Sequence, residues 1–169
     1  HHLDLLVNNA GFDYGKMIED YIPTEIEYLI NIILTSKIHL TRLALPLLKN
    51  SPNSQIINIS SRMGREKTID TVGAYAPAQA GVIKFTQCCA LEFRAFHIRC
   101  NAVAPGLTKT DLTDSLMTST DWENAAKNNP LGRVATPQDI ANVVSFLASP
   151  QASYINGETI GVNGGSNLG

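Results

Sequence analysis

The chain has 169 residues, 44% of them hydrophobic and 17% charged, with a formal net charge of −2. That is one domain's worth of sequence, long enough to bury a core. The near-neutral balance, with no Lys/Arg cluster, argues against nucleic acid or an anionic membrane as the main partner, and no apolar run approaches a membrane-spanning length.

In chain order, Leu3 to Val7 is an apolar run broken by one acid, the pattern of a buried parallel strand. Thr24-Glu-Ile-Glu27 follows Pro23 and predicts a capping box that opens a helix running to about Lys49. Ile26, Leu29, Ile30, Ile33 and Leu34 fall on it at helical spacing. Ile56 to Ile59 reads as the next strand and ends in Ser60-Ser61. A long apolar helix starts at Tyr75 and runs to about Phe96, and Ile98 to Ala104 reads as a strand. The segment from Thr108 to Asn129 is polar, expected to be mobile at its start, with a short helix around Asp121 to Lys127. Thr136-Pro-Gln-Asp139 predicts a capped helix with proline at its first position, ending near Ala148. Glu158 to Val162 is the last strand.

Strand and helix alternate without internal repeat or linker, which predicts an α/β chain with a parallel sheet covered on both faces. Ligands of such sheets bind beyond the carboxyl ends of the strands. Asn8 to Gly11, Ser60-Ser61 and Pro105-Gly106 all follow strands and converge on one crevice.

Tyr75 and Gln79 stand four apart and share one helix face. The order apolar strand, Ser-Ser, Tyr75-Ala-Pro-Ala-Gln79, apolar helix, then His97-Ile-Arg-Cys-Asn-Ala-Val-Ala-Pro-Gly106 is specific. So are Leu3-Asp-Leu-Leu-Val-Asn-Asn-Ala-Gly11 upstream, and Pro130-Leu-Gly-Arg-Val-Ala-Thr-Pro137 and Gly161-Val-Asn-Gly-Gly165 downstream. From end to end the chain resembles the short-chain dehydrogenase/reductase family of the 3-oxoacyl reductase type. The resemblance implies a Rossmann-like, doubly wound parallel sheet, of which residues 1–169 form a single partial domain. They correspond to its C-terminal two-thirds, about four strands with flanking helices.

No G-x-G-x-x-G precedes Asn8. The resemblance places the phosphate-binding glycines and the ribose-reading residue in an upstream portion, roughly a third of such a domain. Without it the first strand would be an exposed apolar edge. Either upstream residues belong to the parent protein or the chain is naturally short and covers that edge by oligomerising; the first is preferred. NAD versus NADP is not legible here.

In the family an asparagine, a serine, a tyrosine and a lysine form the reacting centre. The serine matches Ser61, with Ser60 as fallback, and implies a hydrogen bond to the substrate carbonyl; by itself it is a strand-end turn residue. The tyrosine matches Tyr75 and implies proton transfer to the carbonyl oxygen; by itself it is a helix-start residue with a packed ring and wet hydroxyl. The lysine, which binds the nicotinamide ribose and lowers the tyrosine pKa, matches Gln79. Glutamine keeps a hydrogen bond to the ribose and supplies no charge. An untuned tyrosine, with a pKa of ~10, is only about one part in a thousand phenolate at neutral pH, a handicap on the order of 10²–10⁴ in rate. The asparagine matches Ile33, on the alignment of Ile33-Leu-Thr-Ser36 and Leu43-Ala-Leu-Pro46. Asn31 lies about 200° around a regular helix from it and cannot substitute without a local bulge.

The resemblance gives Asn8, Ala10 and Gly11 to the cofactor's adenosine ribose, although Asn9 and its neighbours also suit a purely strand-tying role. It gives Pro105, Gly106, Thr108 and Thr110 to the nicotinamide, where Pro-Gly is otherwise an ordinary turn. The implied cofactor is NAD or NADP, and the implied substrate a small carbonyl or alcohol. The implied assembly is a homo-oligomer, dimer or tetramer, built on the two long helices and the last strand. Val82, Phe85, Ala90 and Phe93 suit either core or subunit contact.

Two readings are carried: an NAD(P)-linked oxidoreductase, and a non-redox pseudoenzyme, binding or assembly protein on the same fold, to which Gln79 and Ile33 point. A serine hydrolase is set aside, since no Gly-x-Ser-x-Gly elbow occurs and His39 and His97 are not near Ser61 in sequence. The four histidines lack metal spacing; His39 and His97 are read as surface or capping residues. Cys88, Cys89 and Cys100 are read as small buried hydrophobes of a reducing, cytoplasmic compartment. Trp122 is placed in a substrate-loop helix.

Overall fold

The structure, a computed structural model, describes residues 1–65 and 69–166. Four strands, β1 (Leu5–Asn8), β2 (Gln55–Ile59), β3 (Arg99–Pro105) and β4 (Thr159–Val162), form one sheet in the order β1-β2-β3-β4. Every pairing is parallel, with Asn8 opposite Asn58 and Asn58 opposite Ala102. The helices are α1 (Pro23–Ile30), α2 (Ser36–Leu48), α3 (Tyr75–Glu92), the short α4 (Asp111–Asp114), α5 (Ser119–Asn128) and α6 (Pro137–Ala148). This is the Rossmann-like α/β architecture expected from the sequence.

Alternation along the strands divides the core. Ile56 and Cys100 point to the side covered by α2 and α3, packing with Leu48, Cys89, Ala90 and Phe93. Ile57 and Val103 point to the other side and pack on Leu147 of α6. Val82, Ala90 and Phe93 are buried and so are core rather than subunit contact, and Phe85 packs half-buried against the cluster that holds Ala90 and Phe93. Cys89 and Cys100 are buried, whereas Cys88 is exposed, so the reading of all three as buried fails for Cys88. β1 is an edge strand: Leu5 and Leu6 are half-buried and Val7 is exposed.

The first long helix departs from the sequence reading at two places. It starts at Pro23, and Glu25, not a Thr24-based box, closes its end by accepting the Ile22 N–H at 3.3 Å. Glu25 reaches there while paired to Lys16 at 2.7 Å. Between α1 and α2 a single wide turn, Asn31–Thr35, has i→i+5 bonding, with Ser36 N–H donating to the Asn31 carbonyl. The helix at Tyr75 ends at Glu92 and continues as a 3₁₀ turn, Arg94–Phe96. His97, exposed with φ 56°, closes that turn, and His39 is exposed, as expected for surface and capping residues. The cap at Thr136 with Pro137 behind it is present: the Asp139 N–H donates to Thr136 Oγ1 at 3.4 Å.

Candidate active site

The carboxyl ends of β1, β2 and β3 open onto a cleft of about 1080 Å³. Gly11, Ser61, Tyr75, Gly106, Thr108 and Thr110 all line it, each from a different point after a strand or at a helix start. Pro105 lines it as well. Three strand ends and one helix thus bring these residues of the sequence-derived site onto one cleft, whereas Gln79, Asn8 and Ala10 do not line it.

Ser61 caps the 3₁₀ turn Arg62–Gly64: its Oγ accepts the Met63 N–H at 3.2 Å. With that lone pair engaged, its own O–H is left to donate. The turn lies hard against α3, where a Cβ on Gly64 would come within 2.5 Å of the Gln79 backbone. Ser60 Oγ donates to the Gln79 carbonyl at 3.0 Å. Ser60 therefore ties the strand end to α3, and Ser61 is the serine next to the tyrosine.

Tyr75 opens α3, half-buried against the apolar cluster that contains Leu29, Ile33 and Val82, and lines the cleft. Burial pushes its phenol up. Hydrogen bonding with the Ser61 and Gln79 side chains pulls the other way, and the charge of Asp13 pushes it up again. The balance keeps the proton on the oxygen at neutral pH. Asp13, itself raised by burial, accepts from the Tyr21 hydroxyl at 3.5 Å and lines the same cleft.

Gln79 is 4% exposed, beneath Tyr75, and its Oε1 has no hydrogen-bond partner among the described residues. A buried amide oxygen without a donor costs free energy. The chemistry of this acceptor fits a ribose hydroxyl at the nicotinamide end of NAD(P), although Gln79 lies behind the cleft rather than among the residues that line it. Gly106 also lines the cleft, and its backbone is so close to Asn163 that a Cβ would meet it at 2.8 Å, so only glycine lets the two segments pack this closely.

Several expectations land elsewhere. Asn8 does not line the cleft: its amide donates to Asn58 Oδ1 at 2.8 Å and Thr41 Oγ1 at 3.2 Å, and Asn58 donates on to Thr86 at 2.9 Å. It is a strand-tying residue, and its neighbour Asn9 faces the cleft. Ala10 is exposed on the turn beside it. Thr110 caps α4, accepting the Thr113 N–H at 3.3 Å, so the stretch expected to be loose at its start begins with a short helix. Trp122 sits half-buried on α5 with the Lys109 ammonium 5.5 Å from its ring. The wide turn does not rescue the asparagine position: Asn31 is exposed and Ile33 is 0% exposed in the core.

Sequence reasoning missed Lys37. It is 1% exposed, and its ammonium donates to the Ala10 carbonyl at 2.5 Å. The signal was in the spacing: Leu29, Ile33, Lys37 and Thr41 form a four-residue stripe, and all four are buried. On a regular helix each such step drifts by about 40°. The wide turn absorbs part of that drift and keeps the stripe facing inward.

Among the described residues no helix is long and apolar enough to cross a membrane, and no His/Cys/Asp/Glu cluster could hold a metal ion.

The family described as enoyl-(acyl carrier protein) reductase matches residues 1–167. The chain is 36% identical over 163 residues to the 3-oxoacyl-[acyl-carrier-protein] reductase FabG of Thermotoga maritima, covering 96% of this chain and 65% of that protein. It is 40% identical over 167 residues to FabG of Vibrio harveyi, covering 96% and 66%. A Pseudomonas aeruginosa structure described as an RhlG/NADP active-site complex superimposes with a TM-score of 0.91 at 30% identity, over 99% of this chain and 67% of that one. The chain thus spans about two thirds of the proteins it matches. Placed on the geometry of Ser61 and Tyr75 at the strand ends, these likenesses are decisive: the chain belongs to the short-chain dehydrogenase/reductase family of oxidoreductases and is 3-oxoacyl reductase-like.

Proposed function

We propose that the protein to which this chain belongs moves a hydride between NAD(P) and a small carbonyl/alcohol pair, and that residues 1–169 supply the substrate-facing part of the centre. The observation that carries this reading is the placement of Ser61 and Tyr75 on one cleft. Bound there, NAD(P)H supplies the hydride. Ser61 donates its O–H to the carbonyl oxygen and fixes its position. As negative charge grows on that oxygen, Tyr75 gives it a proton, completing the alcohol and leaving a phenolate that solvent reprotonates. In the oxidising direction Tyr75 takes the proton back. Gln79 would offer its oxygen to a ribose hydroxyl, and Gly106, Thr108 and Thr110 on the cleft would hold the nicotinamide end of the cofactor. A homo-oligomer suits the exposed Ile38, Leu43 and Leu47 on α2 and Leu91 on α3.

The test is fluorescence titration of the full-length protein with NADH and NADPH. A saturable change is expected; no change at millimolar cofactor removes the redox reading. The alternative, a non-redox binding or assembly protein on this fold, draws on Ile33 and Gln79, which put neither the family's asparagine nor its lysine at their positions behind Tyr75. It predicts either no cofactor binding or binding without turnover of any carbonyl.

A further inference from the structure

Burying a lysine strips an ammonium of its water and freezes a long side chain, so it is rare without a paired anion. Lys37, on the first turn of α2, is 1% exposed and heads the fully buried side chains by size. Among the described residues no carboxylate pairs with it; the Ala10 carbonyl, at 2.5 Å, is its hydrogen-bond acceptor. An ammonium carries three N–H donors, so among the described residues two remain unused. Two buried acceptors, Asn8 Oδ1 at the end of β1 and Gln79 Oε1 on α3, likewise have no partner among the described residues. Asn8 bonds Thr41, one turn further along α2 from Lys37. Gln79 lies on α3 two residues before Gly81, whose position is set against Leu34 of the wide turn. Spare donors on one side and spare acceptors on the other fit a buried water or a ligand hydroxyl between them, which needs two to four polar partners.

We propose that Lys37 is the cation of the reaction centre, supplied from α2 in place of the charge missing at position 79 on α3. It is a positioning residue: it acts through the Ala10 peptide, whose neighbours Asn9 and Gly11 line the cleft, and through Gln79 beneath Tyr75. Burial alone draws its ammonium down to about 8, which still leaves it mainly protonated at neutral pH. An apolar side chain of similar volume would be the more stable choice here, so the retained charge points to a role other than stability. The catalytic part of this inference rests on the redox reading above.

The deciding experiment is a double-mutant cycle on the full-length protein with Lys37→Met, Gln79→Lys and both together, followed by thermal melting. If positions 37 and 79 share one buried pocket, Gln79→Lys alone sets two ammonium groups against each other and lowers the melting temperature by roughly 5–10 °C. In the Lys37→Met background the same change then costs far less. A Gln79→Lys chain that folds only together with Lys37→Met is the extreme form of the expected result. Equal penalties in both backgrounds, or failure to fold in both, overturn the proposal. This readout needs no turnover, so it decides the placement of the charge even if cofactor titration removes the redox reading. In a carbonyl-reduction assay Lys37→Met should lower kcat by at least ~10-fold with KM little changed, and adding Gln79→Lys should recover most of it. An unchanged kcat in Lys37→Met contradicts the catalytic part.

Discussion

Around Tyr75, the residues that face the cleft and those behind it, between α2 and α3, meet different demands. On the cleft side Ser61 and Thr110 are polar groups held by short caps at element ends, each with its lone pair used and its position fixed by backbone N–H. Behind the tyrosine, Ile33 is sealed in an apolar cluster with Leu29, Ala78 and Val82, and polar atoms there are buried with unfilled hydrogen-bond capacity. On the proposed function the front meets a substrate oxygen, while the back carries its only described ammonium, Lys37, on α2 instead of at position 79 on α3. On that reading one half of a reaction centre keeps its geometry while the charge behind it is placed anew.

The strongest way to break this comparison is to put the family's asparagine back. Ile33→Asn buries an amide where the neighbours are apolar and should destabilise by about 3–5 kcal/mol in chemical denaturation; a loss below about 1 kcal/mol would mean that the back is polar and wet after all. Ser61→Ala probes the front. It should lower kcat/KM for carbonyl reduction by on the order of 10²–10³ while leaving cofactor affinity nearly unchanged, and a loss of affinity instead would move Ser61 to a structural role.

Lys37→Met probes the back through pH. The native ammonium, drawn down to about 8 by burial, compares with about 10.4 in the unfolded chain. Between those values the unfolded state holds more protons, so stability rises with pH across that window, and below pH 8 the full cost of the buried charge is felt. The wild type should therefore gain up to about 3 kcal/mol relative to Lys37→Met between pH 8 and 10.5; parallel stability curves would show that Lys37 is solvated. The smallest effect is expected at Thr110→Ala, about 1 kcal/mol from loss of the α4 cap. It should appear as local hydrogen-exchange loss at residues 111–114 without change at Tyr75.

Alternation of apolar runs with capped helices made the sheet and α6 legible, because Thr136-Pro137-Gln138-Asp139 is a local signal that tertiary contacts reinforce. The front of the site was legible for a similar reason: Ser61, Tyr75 and Gly106 sit where strands and helices begin or end. Thr24 misled because Glu25, not Thr24, bonds the first free N–H, and the choice is made by its tie to Lys16. Asn8 misled because a strand-end amide suits a ligand and a neighbouring strand equally, and Asn58 settles it. Lys37 escaped because a lone lysine in a helix is ordinarily a solvated one. Only the wide turn at Asn31–Thr35, invisible in the residue pattern, turns its stripe fully inward.

The measurement that bears most directly on the account is carbonyl reduction by Tyr75→Phe in the full-length protein, followed as NAD(P)H consumption at saturating cofactor. Removing one oxygen leaves the ring packed against the same apolar cluster. The account predicts a turnover at least ~10²-fold below wild type, with melting temperature and cofactor affinity preserved. Turnover equal to wild type would contradict it, because the proton would then be coming from somewhere other than the one phenol that opens α3 onto the cleft.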